Sequence, residues 1–116
     1  MKKQITVVGQ TELKPTVINV PGDFSSAAFF IVAGLLIPDS DLTLTDVGIN
    51  PLRTGLLDTL AEMGADIQIK NKRDECNEPV ADIRVRSSLL QATDVPATRS
   101  PSMIDEYPIL GIAAAR

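Results

Sequence analysis

The sequence predicts an α/β fold, and three observations carry the prediction. Two helical stretches, residues 24–36 and 54–63, alternate with short segments of strand-like pattern. Gly, Pro, Asn and Asp cluster at the joins between them, where turns need those residue types. The 116 residues, 44% of them hydrophobic and 22% charged, suffice for one sizeable core but leave little room for two large independent ones.

Each element follows from its local pattern. Residues 17–20 (Val-Ile-Asn-Val) read as a short extended segment, and residues 5–8 as a further strand nearer the start. Pro21 and Gly22 turn the chain, and Asp23, Ser25 or Ser26 is placed to satisfy the first free amides of a helix. Residues 24–36 then form that helix. Its apolar side chains cover several faces, which predicts burial against more than one layer, and Gly34 permits a close approach.

Asp39 and Ser40 stop the helix before residues 42–45 (Leu-Thr-Leu-Thr), a strand with one apolar face, followed by a turn over 46–51. Leu56, Leu57, Leu60 and Met63 give residues 54–63 helical spacing, and Gly64 is the expected C-terminal cap. Residues 65–70 form the next strand, with Ile67 and Ile69 inward; 71–79 reads as a polar surface loop. In residues 81–87, Ile83 and Val85 share the core face while Asp82, Arg84 and Arg86 point away. Leu89, Leu90 and the region of Val95 complete the packing, and 97–103 connects to a terminal helix over 103–116. Two strand-helix-strand passages of similar pattern suggest related subdomains.

Composition narrows the functional classes. A formal net charge of −4 with one tyrosine and three phenylalanines gives neither the basic field nor the stacking surface of a general nucleic-acid binder. A single cysteine, Cys76, builds no intrachain disulfide, and with no histidine and no ligand-like spacing of carboxylates a structural metal site is disfavoured. The run around residues 29–37 is below membrane-spanning length, and residues 4–8 are too short and polar for a signal-peptide core. The expectation is a cytoplasmic protein without nucleic-acid or membrane partners.

The segment most suggestive of chemistry is 103–110, Met-Ile-Asp-Glu-Tyr-Pro-Ile-Leu, in which Asp105 and Glu106 interrupt an apolar run. A carboxylate beside residues that prefer burial must be solvated, hydrogen-bonded or neutralised, and that is how polar chemistry enters a core. An Asp ahead of Pro108 is equally a helix cap. Glu106 by itself reads as exposed turn or helix stabilisation. Arg53 sits in a turn before a helix, where an anion is also at home, and Arg84 and Arg86 are either phosphate ligands or a solvated strand face. Asp58 opens the polar side of the second helix.

Across residues 17–115 the sequence resembles 5-enolpyruvylshikimate-3-phosphate synthase. The pieces are VPGDFSSAAFF at 20–30, NPLRTGLLDTLAEMGADI at 50–67, VADIRVRSS at 80–88 and PSMIDEYPILGIAAA at 101–115. In this order they are closer to the glyphosate-tolerant class than to the related enzyme acting on a UDP-sugar. The resemblance implies that residues 1–116 are part of a large enolpyruvyltransferase-like domain built from repeated strand-helix subdomains. One subdomain would lie near 15–95, and a substrate-site helix over 103–116. It implies carboxyvinyl transfer from phosphoenolpyruvate to shikimate 3-phosphate with release of phosphate, and no metal or redox cofactor.

Asp105 falls in the family's shikimate-binding, catalytic carboxylate region, where it would orient and deprotonate the attacking hydroxyl; Arg53 is a second substrate-binding candidate. The family's serine-and-glutamine substrate segment, its basic phosphoenolpyruvate clamp and its further acidic region have no counterpart in these 116 residues. The chain alone is therefore expected to be inactive and to need the missing enzyme domains. Two other readings remain: a structural or interaction fragment that docks to the missing portion, and a small-anion-binding domain using Arg53, Arg84 or Arg86.

Overall fold

The computed structural model describes residues 4–115, so residues 1–3 and Arg116, at the limits of the expected domain and terminal helix, lie outside it. Three helices and three strands follow in the order α1 (Phe24–Leu36), β1 (Asp41–Gly48), α2 (Gly55–Glu62), β2 (Asp66–Glu75), β3 (Glu78–Arg86) and α3 (Tyr107–Ala114). The strands form one sheet in the order β1-β3-β2, with β3 antiparallel to both neighbours. β1 and β2 therefore run parallel, joined by α2, and the β2-β3 hairpin inserts the last strand between them.

α1 begins where Asp23 adopts an extended backbone and its carboxylate accepts from the Ser26 amide at 2.8 Å and the Ser26 hydroxyl at 2.9 Å. Of the three capping candidates Asp23 is the cap, which leaves the Ser25 hydroxyl for other work. The inner face of α1, with Phe24, Ala27, Ala28, Ile31, Val32 and Leu35, packs against β1 and β3 on one side and α3 on another. At Gly34 a Cβ would already lie 3.4 Å from Val85 Cγ1, so glycine is what lets this helix settle close on the sheet. Phe29 and Phe30 stay more than half exposed, so burial in two layers does not extend all round the helix.

α2 ends in a Schellman motif: Gly64, at φ 87°, donates to Ala61 O, and Ala65 donates to Leu60 O, both at 3.0 Å. Leu56, Leu60 and Met63 join Ile83, Val85, Met103 and Ile109 in the same core. On β3 the predicted alternation holds, with Ile83 and Val85 fully buried.

Several sequence expectations are corrected. The polar stretch 71–79 is a β-hairpin rather than a loop: β2 continues to Glu75, β3 starts at Glu78, and Cys76 and Asn77, both at positive φ, make the two-residue turn. β1 likewise continues to Gly48 through a bulge between Leu44 and Val47, where Asp46 takes a left-handed backbone and its amide donates to Asp82 Oδ1. Residues 5–8 and 17–20 form no strand, since no neighbouring strand pairs with them; the first strand-helix-strand passage survives only as a parallel bridge between Gly22 and Val47. Leu89 is 94% exposed, and the chain there is tied instead by Ser88 to Leu35 and by Gln91 to Met63 through backbone hydrogen bonds. The terminal helix starts at Tyr107, not Met103. A 3₁₀ turn over Ile104–Glu106 precedes it, and Pro108 sits in its first turn, where a missing amide costs nothing.

Candidate functional site around Arg53 and Asp105

Three segments converge at the N-terminal end of α1. The bridge from Gly22 to the end of β1 fixes the entry to α1 and hence Asp23 and Ser25. The turn before α2 presents Arg53, whose amide donates to Asn50 O at 2.8 Å, while Asn50 Oδ1 accepts from Leu52. The 3₁₀ turn before α3 presents Asp105 and Glu106.

Arg53 is the hub. Its Nη2 lies 3.3 Å from Ser25 Oγ, 3.6 Å from Asp105 Oδ2 and 4.0 Å from Asp23 Oδ1. Ser25 Oγ in turn donates to Glu106 Oε1 at 2.5 Å. Asp105 is exposed, with its side chain 66% accessible, whereas Glu106 is 3% accessible. Beside the cluster opens a shallow depression of about 400 Å³ whose lining includes Gly22, Asp23, Asn50, Arg53 and Glu78.

The two neighbouring carboxylates thus divide. Met103, Glu106, Ile109 and Ala113 recur at helical spacing and all are buried, so Glu106 takes the core side of the turn while Asp105 takes the solvent side. Glu106 is not the exposed group expected, and Ser25 is not the cap; both were missed, although the spacing from Met103 to Ala113 was available as a signal.

Arg84 and Arg86 are spent elsewhere. Arg84 makes a two-pronged ion pair with Asp41, and Arg86 pairs with Asp66 at 2.6 Å, directly opposite it across the ladder. The Arg84 guanidinium holds the Asp41 carboxyl below its ordinary range. Arg73, between Asp46 and Glu75, belongs to the same polar outer face. Asp58 makes no ion pair with any described residue. Among the described residues no three His, Cys, Asp or Glu side chains gather as a metal site, and no helix is long and apolar enough to cross a membrane.

The cap carries a pH signature. Hydrogen bonds from the Ser26 amide and then the Ser26 hydroxyl hold the Asp23 carboxyl below its ordinary 3.8, against a smaller opposing effect of burial. With the folded-state value depressed, the stabilisation is complete above about 3.8, the ordinary carboxyl value, and is lost as pH falls through the lower folded-state value. Asp23→Ala is expected to cost about 1 kcal/mol at neutral pH and to flatten the acid limb of a stability-against-pH curve from urea melts. The Arg53 contact adds little to this, because both side chains are half exposed.

A three-stranded sheet with helices on one face makes a partial domain of the enolpyruvyltransferase fold, as likeness to solved structures bears out. The chain superposes on EPSP synthase from Acinetobacter baumannii with a TM-score of 0.87 and 46% sequence identity, covering 93% of this chain and 24% of that one. The family EPSP synthase (3-phosphoshikimate 1-carboxyvinyltransferase) matches residues 1–116, and the chain belongs to it. Curated relatives named 3-phosphoshikimate 1-carboxyvinyltransferase include those of Rhodospirillum rubrum, 60% identical over 111 residues, and Paramagnetospirillum magneticum, 60% identical over 113 residues. These alignments cover 96% and 97% of this chain but 25% of each relative, so the chain spans about a quarter of their length.

Proposed function

We propose that this chain supplies the acceptor side of an EPSP synthase active site, with Asp105 as the catalytic carboxylate. In this reading the complete enzyme transfers carboxyvinyl from phosphoenolpyruvate to shikimate 3-phosphate and releases phosphate. Residues 1–116 are part of a large domain, with one subdomain near 15–95. The observation that carries the proposal is the pairing of exposed Asp105, at 3.6 Å, with Arg53, which itself lines an open depression.

The chemistry follows from the charges. A carboxylate within hydrogen-bond reach of the attacking hydroxyl takes its proton as the new C–O bond forms, and a neighbouring guanidinium holds that carboxylate in place. Arg53 also offers a cation to an anionic substrate group, its substrate-binding role here. The reading needs no metal or redox cofactor. It does need further cationic groups for phosphoenolpyruvate, so the remaining enzyme domains are required partners. Exposed Phe29 and Phe30 support that requirement as apolar surface for intramolecular docking.

The test is a chimera in which this chain replaces the matching 111 residues of the Rhodospirillum rubrum relative. Phosphate release from the two substrates is followed for the chimera and for the chain alone. Turnover by the chimera and none by the chain is expected. A folded chimera without turnover, or enzyme-like turnover by the chain alone, overturns the proposal.

A further inference from the structure

Resting on that reading, we propose that Ser25 and Glu106 are positioning residues for Asp105, acting through Arg53. Glu106 is the one buried carboxylate among the described residues, and in place of an ion pair it has a single side-chain hydrogen bond, the 2.5 Å contact from Ser25. A carboxylate on the core side of a helix start is a poor choice for stability alone. The neighbouring inward positions are Met103, Ile109 and Ala113, and an apolar residue there would avoid the cost of desolvation.

What the carboxylate accomplishes is directional. The Ser25 hydroxyl has one proton to donate, and its hydrogen bond goes to Glu106. The serine lone pairs are thereby turned to Arg53, which only donates. The same Arg53 Nη2 then faces Asp105. The contacts close a ring: Asp105 to Arg53, Arg53 to Ser25, Ser25 to Glu106, and Glu106 back to Asp105 through one peptide bond. Because Glu106 is anchored inside and Arg53 approaches from outside, the ring fixes the roll of the 3₁₀ turn that aims Asp105.

In the chimera, Ser25→Ala is expected to lower kcat about tenfold with little change in either KM, since misaimed chemistry rather than lost binding is the defect. Ser25→Thr, which restores the hydroxyl, should return kcat to within about threefold. Arg53→Ala lowers kcat as well, and the Ser25→Ala, Arg53→Ala pair should fall no further than the worse single variant, as members of one chain do. Glu106→Gln, whose amide oxygen still accepts the serine proton, retains activity where Glu106→Leu loses it; this pair decides the matter should Ser25→Ala fail to fold. Unchanged kcat in Ser25→Ala, or losses that multiply, overturns the inference. Asp105→Asn separates the failures: if it abolishes turnover while Ser25→Ala is silent, only the positioning network is wrong, whereas a silent Asp105→Asn removes the functional reading and the network with it.

Discussion

Replacing Asp105 by asparagine should lower the chimera's kcat by about 10²- to 10⁴-fold. Asparagine has the shape of aspartate, and the 3.6 Å ion pair it gives up is solvent-exposed and contributes little, so the site should keep its form. What it loses is the ability to take a proton from the attacking hydroxyl. KM for shikimate 3-phosphate should move much less than kcat, because the side chain, two-thirds exposed, leaves room for an amide to hold the same hydroxyl. Steady-state phosphate release against the concentration of each substrate reads both constants. A fall in kcat smaller than about tenfold would mean that another group is the base.

Neighbouring residues explain why Asp105 was legible and Glu106 was not. Asp105 stood out because a carboxylate in an apolar run demands an account, and family resemblance then gave it a role. Glu106 makes the same demand, but nothing in the local composition says which of two adjacent carboxylates points inward. That depends on where the chain turns from 3₁₀ to α-helix, and so on the phase between Met103 and Ala113. Ser25 needed still more: its partners come from 28 and 81 residues away in sequence. Linkages of that kind are made by the fold and leave no local pattern.

The secondary structure divides along the same line. α1, α2 and the Gly64 cap are local events, and their residues announce them. The hairpin at Cys76 and Asn77 read as a loop because 71–79 has no apolar alternation. Its ladder is held by backbone pairing on a solvent-facing stretch, so periodicity is silent there and only the turn-prone Asn77 hinted at it. Residues 5–8 and 17–20 err in the opposite direction. They are rich in β-branched residues, but a strand is a property of a pair, and the first residue to find a neighbour is Gly22, beyond both stretches, at Val47.

Ile83→Ala should be the most damaging of the core truncations in the sheet, costing about 2 to 5 kcal/mol. Ile83 is fully buried at the middle of the central strand, directly opposite Leu44 on β1 and Ile69 on β2, with the helices over the same face. Alanine there would leave a gap bordered on both sides by strands whose own pairing prevents them from closing in. Native domains are stable by only about 5 to 15 kcal/mol, so this one change uses a large share of the total. Urea unfolding of the 116-residue chain should show a lower midpoint at unchanged slope. Leu89→Ala, at a position 94% exposed, should shift stability by no more than about 0.5 kcal/mol. Equal effects at the two positions would mean that the sheet does not carry the core. The consequence reaches the site, because β1 grips Gly22 at its far end and Gly22 sets the start of α1. Loosening β3 therefore loosens the support for Asp23 and Ser25 without touching either side chain.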